Sequence, residues 1–111
     1  MTFQKFSKIN LERATVWHQN GIEEWSISDW AVAMVGEAGE ACNQIKKFNR
    51  LRDKLHSNNP DSFDMSKLAD EIADTFIYLD LLATRCGLNL ETIVISKFNA
   101  ISEREGLPHR V

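Results

Sequence analysis

The chain has 111 residues, a formal net charge of −3 at pH 7, 43% hydrophobic residues and 26% charged residues. This length predicts one domain with one core, spanning residues 1–111 with a tail over 106–111. The small negative charge argues against nucleic-acid polymers as partners, because they attract strongly basic surfaces. No apolar run is long enough to span a membrane, and the N-terminus has no apolar leader. We therefore expect a cytoplasmic protein without a membrane partner.

Helical periodicity predicts four helices and no strand, over about residues 3–19, 28–55, 65–86 and 89–105. Ser28 and Asn89 are favourable N-cap residues for the second and fourth helices. Gly87 is a natural C′ residue for the third helix, and the polar residues 56–64 before that helix predict a loop. The sequence therefore predicts an all-α protein.

The third predicted helix is apolar on most sides, in the stretch IADTFIYLDLLA over residues 72–83. Such a helix needs packing partners all round, whereas an ordinary surface helix has one apolar face. Four helices of a small monomer cover it only partly. We therefore predict a four-helix bundle-like protomer whose core is completed by oligomerisation, most simply as a symmetric dimer.

Two pairs of carboxylates stand at positions i and i+3 of the second and third helices. Glu37 and Glu40 lie in VGEAGEACN, and Glu71 and Asp74 lie in LADEIADTF. Residues three apart on a helix point within about 60° of one another, so each pair shares one face, amid apolar neighbours. Four carboxylates on two packed helices repel one another. Burial must therefore raise their pKa values, or a cation must neutralise them.

The chemistry of these side chains limits the kind of cation. An all-oxygen set of ligands suits a hard ion, Mg²⁺ or Mn²⁺. Di-iron bundles use Glu-x-x-His pairs, and here the i+3 positions hold Glu40 and Asp74, which argues against a redox di-iron site. The alternative is that each pair belongs to an ordinary solvated helix face.

The small residues of the predicted helices carry two further expectations. Gly36 and Gly39 each precede a glutamate of the second helix. Without a Cβ atom, their shared face is expected to let a neighbouring helix or the metal–phosphate cluster approach the backbone closely. Cys42 and Cys86 have no second cysteine or histidine at metal-ligand spacing. We expect them to be buried free thiols in a reducing compartment.

Three other side chains are candidates for contacts to a nucleotide. Lys47 follows Glu40 by seven residues, about two turns along the same face, where it reaches either a phosphate or the solvent. Trp25 precedes the acidic helix, and its ring is suited to stacking on a base whose edge His18 hydrogen-bonds. The alternative for the tryptophans is a place in the core or at an interface, which we favour for Trp30.

The two acidic segments together resemble the signature of a known family. VGEAGEACNQIKK followed by LADEIADTFIYLDLLA resembles the E-x-x-E and E-x-x-D motifs of the MazG-like, all-α nucleoside triphosphate pyrophosphohydrolases. That superfamily also includes dimeric dUTPases, phosphoribosyl-ATP pyrophosphohydrolase and dCTP pyrophosphatases. VISKFN, residues 94–99, resembles the start of the family's last core helix, and the similarity runs from Trp25 to Lys97.

The resemblance implies an activity, a cofactor and an assembly. Such enzymes hydrolyse (deoxy)nucleoside triphosphates to a monophosphate and pyrophosphate, as in house-cleaning of the nucleotide pool. They use Mg²⁺ held by the four acids and assemble as homodimers, or as tetramers made of two dimers. The resemblance also implies a phosphate contact for Lys97. Several relatives carry a nucleotide-binding asparagine four residues after that lysine; here the position is Ile101, with Asn99 and Ser102 as nearby polar substitutes.

The four acids are compatible with this activity. A triphosphate carries about four negative charges, so carboxylates bind it only through bridging cations, which also stabilise charge at phosphorus. Glu37 and Glu40 are the candidates for a catalytic base that activates the attacking water. Two alternatives stay open: a non-catalytic helical oligomerisation or interaction module with a structural cation, and an enzyme of this fold specialised for phosphoribosyl-ATP.

Overall fold

The computed structural model of the chain describes residues 1–54 and 63–111. The described part is all-α, which confirms the predicted class with its four helices. These are α1 (Phe3–Trp17), α2 (Ile27–Arg52), α3 (Met65–Arg85) and α4 (Leu90–Arg104), with a short 3₁₀ helix at Ile22–Glu24 between α1 and α2. Within the described ranges, no helix has both the length and the apolar character that a membrane span requires.

Local capping determines where α4 begins and α3 ends. The Asn89 side-chain oxygen accepts a hydrogen bond from the backbone N–H of Thr92 at 2.9 Å, so the predicted N-cap of α4 is confirmed. Gly87 follows the last turn of α3 with a φ of 73°, a left-handed conformation that glycine adopts without strain. The predicted end of the third helix is therefore also confirmed.

The segment between α2 and α3 is described only in part. α2 begins at Ile27, one residue before the predicted start, and ends at Arg52. Residues 55–62, which include the predicted end of this helix and most of the predicted loop, lie outside the described residues. Asp64 then caps α3, because its carboxylate accepts a hydrogen bond from the backbone N–H of Ser66 at 2.9 Å.

The chain forms two compact units. The first comprises Met1–Ile27 and Asp80–Val111, and the second comprises Ser28–Leu79. Within the first unit, α1 packs against α4. Within the second unit, Trp30 is buried and its ring centroid lies 6.2 Å from that of Tyr78. The core position that we favoured for Trp30 is therefore confirmed.

In the first unit, a buried carboxylate near the end of α3 forms hydrogen bonds with side chains of α1. Asp80 is only 1% exposed, and its two oxygens accept hydrogen bonds from the Ser7 hydroxyl and from the Asn10 side-chain amide, the latter at 2.9 Å. Asn10 is itself buried and accepts a hydrogen bond from Arg13 at 3.3 Å. Burial of a charged group is tolerated when hydrogen bonds replace its lost water. This network is therefore a specific contact between two helices.

One expectation about small residues is wrong for this chain, and part of a second is not met within it. Cys42 and Cys86 are free thiols, as predicted, but both are exposed instead of buried. Gly36 and Gly39 are exposed as well, and a Cβ atom added at either would meet no described atom within 4 Å beyond its own turn of helix. No described helix of this chain therefore approaches the glycine face closely, and an approach by the metal–phosphate cluster stays a prediction.

Candidate metal centre

Three of the four predicted ligands converge in the second unit. Glu37 on α2 and Glu71 and Asp74 on α3 each offer a carboxylate oxygen, and these oxygens all lie within 4.8 Å of one another. Glu71 and Asp74 share a face because they are three residues apart on one helix. Glu37 and Glu71 are partly buried. The packing of α2 beside α3 thus brings together acids that are more than thirty residues apart in the sequence.

Glu40 contacts this group through Glu71. A hydrogen bond between the Glu40 and Glu71 side chains raises the pKa of Glu40 above its ordinary value, and the negative charge of Glu71 raises it further. Partial loss of hydration and the charge of Asp74 act in the same direction. Glu40 is the exposed member of the glutamate pair on α2, so it stands at the solvent side of the group.

Glu71 is the acid that contacts both glutamates of α2. Its hydrogen bond with Glu37 is the largest cause that raises the pKa of Glu71, followed by partial loss of hydration. The charges of Glu37 and Asp74 also raise this pKa, while the hydrogen bond with Glu40 lowers it. Glu40 and Glu71 are therefore the two acids of the cluster whose pKa values their neighbours raise.

One atom of this cluster is compatible with a bound cation. Glu71 Oε2 is buried and has no hydrogen-bond partner in the described residues. A buried acceptor without a partner is destabilising, and either a proton or a cation satisfies it. The donor set is made of carboxylate oxygens, which suits Mg²⁺ or Mn²⁺ better than softer metals. Glu37, Glu71 and Asp74 would hold such an ion, with Glu40 beside them.

The surroundings are apolar, as the sequence predicts. A groove of about 280 Å³ lies between α2 and α3, and its lining includes the residue that follows each acid in the sequence. It is lined by Ala38, Ala41, Ile72, Thr75, Phe76 and Leu79.

The raised pKa values predict how the stability of the metal-free protein depends on pH. Above the ordinary glutamate pKa of 4.5, the folded state retains protons on Glu40 and Glu71 that the unfolded state has released. The free energy of unfolding should therefore fall as the pH rises from about 4.5 through the raised pKa values. Thermal unfolding in EDTA, compared between the wild type and Glu71→Gln, measures this effect. The advantage of the variant should grow over that interval, and a constant difference would contradict the prediction.

The other predicted contact residues are distributed over both units. Lys47 is partly buried on α2, in the second unit with the four acids. Lys97 lies on α4 in the first unit, where it borders a shallow apolar groove of about 500 Å³ with Ile93, Val94, Phe98 and Ile101. A phosphate contact for either lysine stays a prediction.

Trp25 and His18 form a pair in the first unit. Their rings meet edge to face, with centroids 4.9 Å apart at an angle of 78°. His18 Nδ1 lies 3.3 Å from a carboxylate oxygen of Glu24, and Arg85 Nε donates a hydrogen bond to the Trp25 carbonyl at 3.0 Å. The sequence suggested Trp25 and His18 together, as contacts to one base. Arg85 was missed, since nothing in the pattern relates it to a residue sixty positions earlier.

Asn99 has a partner within the chain. Its side-chain amide donates to the Val111 carbonyl at 3.0 Å, and its carbonyl oxygen accepts from the Val111 backbone N–H at 2.9 Å. Contact with a nucleotide would therefore require these two hydrogen bonds to be exchanged. The predicted substrate role of Asn99 remains a prediction.

Gln44 is a further residue that our sequence analysis did not single out. Its Oε1 atom is buried and, like Glu71 Oε2, has no hydrogen-bond partner in the described residues. Gln44 follows Glu40 by four residues, a spacing that places it on the acidic face of α2. This interval of four residues from Glu40 was the signal in the sequence that pointed to Gln44.

Neither the protein-family models nor the curated proteins give a match to this chain.

Proposed function

We propose that this chain is a MazG-like, Mg²⁺-dependent nucleoside triphosphate pyrophosphohydrolase. The observation that supports the proposal is the convergence of Glu37, Glu71 and Asp74 within 4.8 Å, with Glu40 hydrogen-bonded to Glu71. Residues of both the E-x-x-E and the E-x-x-D motif contribute to one cluster. Two unrelated, solvated helix faces would have no reason to bring their carboxylates together. The proposed substrates are small (deoxy)nucleoside triphosphates, hydrolysed to a monophosphate and pyrophosphate in nucleotide-pool house-cleaning.

The four acids have distinct roles in the proposal. Glu37, Glu71 and Asp74 would hold the cation, whose positive charge would offset the negative charge of the triphosphate and the charge that develops in the transition state. Glu40 is exposed and stands outside the group of three, which makes it our choice over Glu37 as the general base. Its raised pKa makes it a stronger base than an ordinary glutamate. Glu40 takes a proton from water, whose oxygen bonds to the α-phosphorus as the bond to the bridging oxygen of pyrophosphate breaks.

The proposal also includes substrate contacts and an assembly. Lys47 and Lys97 are proposed phosphate contacts, and the edge-to-face pair of Trp25 and His18 is the proposed contact to the base. The proposed assembly is a homodimer or a tetramer of two dimers, and the proposed location is the cytoplasm. Apolar side chains that this chain leaves exposed on several helices support the assembly. Those of α2 and α3 include Val32, Val35, Leu51 and Ile72.

Product analysis on a panel of nucleotides tests the function. The chain is incubated with each of the common dNTPs, NTPs and phosphoribosyl-ATP, with Mg²⁺, with Mn²⁺ or with EDTA. We expect pyrophosphate and the matching monophosphate from at least one nucleotide, and no product in EDTA. Preference for phosphoribosyl-ATP would assign the specialised enzyme instead. No product from any nucleotide with either metal would favour a non-catalytic module with a structural cation.

A further inference from the structure

Arg85 forms a long-range hydrogen bond with the segment that joins α1 to α2, residues 18–26. Its Nε donates to the Trp25 carbonyl at 3.0 Å, and both residues belong to the first unit. Arg85 is the last residue of α3 and is partly buried, so water competes less for this donor than at the surface. A guanidinium donor makes a charge-assisted hydrogen bond, which is about twice as strong as a neutral one. The end of α3 therefore fixes one point of the segment.

The segment has little regular structure of its own. It contains the 3₁₀ turn Ile22–Glu24, which packs beside α1, and Gly21 before this turn has a φ of 79°, which favours glycine. The Gly21 N–H donates to the His18 carbonyl at 2.7 Å, and the Glu24 N–H donates to the Gly21 carbonyl at 3.2 Å. These bonds join residues only three positions apart. They shape the turn, whereas the direction of Trp25 depends on contacts beyond the segment.

The carbonyl that Arg85 binds belongs to the residue whose ring forms the edge-to-face pair with His18. Trp25 has an extended backbone, with φ −99° and ψ 143°, and the bond from Arg85 restrains the rotation that orients this carbonyl. The two ring centroids are 4.9 Å apart at an angle of 78°, a geometry that depends on the direction of both rings. Without the restraint, Trp25 would gain backbone freedom, and a ligand would have to order the ring pair as it binds.

We propose, on the basis of the function proposed above, that Arg85 is a positioning residue for the base contact made by Trp25 and His18. Its hydrogen bond holds the Trp25 main chain in place before the nucleotide arrives, so that binding does not have to order the segment. The cation ligands and the proposed general base belong to the second unit. Arg85 therefore acts on nucleotide affinity and leaves the chemical step unchanged.

Two substitutions of nearly equal length separate the donor of Arg85 from the rest of its side chain. Arg85→Met removes the donor, whereas Arg85→Gln places an amide N–H where Nε stands. We expect KM for the best nucleotide of the panel to rise about tenfold in Arg85→Met with little change in kcat, as for loss of a hydrogen bond to a charged group. Arg85→Gln should keep most of the wild-type affinity. In a Trp25→Ala background, Arg85→Met should raise KM no further, because Arg85 acts through Trp25.

Amide hydrogen exchange over residues 18–26, in the full chain without nucleotide or metal, measures the positioning independently of activity. Exchange there should be about tenfold faster in Arg85→Met than in the wild type. Arg104→Met is the matched control, since Arg104 is exposed and pairs with the adjacent Glu105. It should match the wild type in exchange and in KM. Thermal unfolding shows that the variants are folded at the assay temperature.

The results separate this inference from the function on which it rests. The role of Arg85 is wrong, and the proposed function stands, if the wild type hydrolyses nucleotides while Arg85→Met changes neither the exchange nor KM. Equal rises of KM in Arg85→Met and Arg85→Gln would also overturn this role, because they would show that the charge of Arg85 matters and its Nε donor does not. If the wild type releases no pyrophosphate from any nucleotide, the proposed function and this inference fall together.

Discussion

Replacing Glu71 with glutamine is expected to lower Mg²⁺-dependent pyrophosphate release by at least about a hundredfold, since second-layer partners alone change metal sites by 10- to 100-fold. Glu71 is the acid that contacts both Glu37 and Glu40, so its loss removes a ligand and a neighbour of the proposed base. Steady-state release of pyrophosphate from the best nucleotide of the panel gives the measurement. Saturating Mn²⁺ should restore little of the rate, because the amide supplies no negative charge to the cation.

Two comparisons distinguish the expected loss of activity in Glu71→Gln from a loss of folding. Asp70→Asn removes a charge from the adjacent, exposed position of α3 and should retain the activity of the wild type. Glu71→Gln itself should be more stable than the wild type in EDTA at neutral pH, because it removes repulsion that raises the pKa of Glu40. Wild-type activity in Glu71→Gln would exclude the cluster as the catalytic centre.

Replacing Asp80 with alanine is expected to lower the free energy of unfolding by about 3 kcal/mol, since it leaves two donors without their charged acceptor. Asp80 is 1% exposed and accepts hydrogen bonds from Ser7 and Asn10 on α1. Asn10 is also buried, so its amide would lose its partner where little water can replace it. Denaturant unfolding at a fixed protein concentration measures the change.

Two variants serve as controls for Asp80→Ala, one on the same helix and one in the same hydrogen-bond network. Asp70→Ala makes the same substitution at an exposed position of α3 and should change the free energy of unfolding by less than about 0.5 kcal/mol. Ser7→Ala removes one of the two donors and should cost about 1 kcal/mol. Equal stabilities of Asp80→Ala and Asp70→Ala would show that the network contributes nothing to stability.

The helices were predictable because their signals are local. Apolar residues at helical spacing located all four, and Asn89 and Gly87 marked two of the ends through contacts within a few residues. The start of α2 was predicted to within one residue. The exposure of Cys42 and Cys86 was not predicted, because an apolar sequence context does not reveal which face of a helix is covered by a neighbour.

The candidate site was predictable to the extent that it follows from spacing within one helix. The interval of three residues in each acidic pair placed Glu37 beside Glu40 and Glu71 beside Asp74. This interval did not indicate which of the four acids converge and which stays exposed, because all four are equivalent in the sequence pattern. Packing of α2 against α3 brought oxygens of three acids together and left Glu40 exposed, with Glu71 as its contact.

The sequence by itself therefore determined the all-α class, the positions of the helices and the shared faces of the acids, since each follows from a period of 3.6 residues. The tertiary structure alone decided which distant side chains meet. Ser7 and Asn10 reach Asp80 across about seventy positions, and the oxygen of Gln44 is buried only once α2 has its neighbours. These contacts depend on the separation and rotation of packed helices. No spacing within a single helix encodes either quantity.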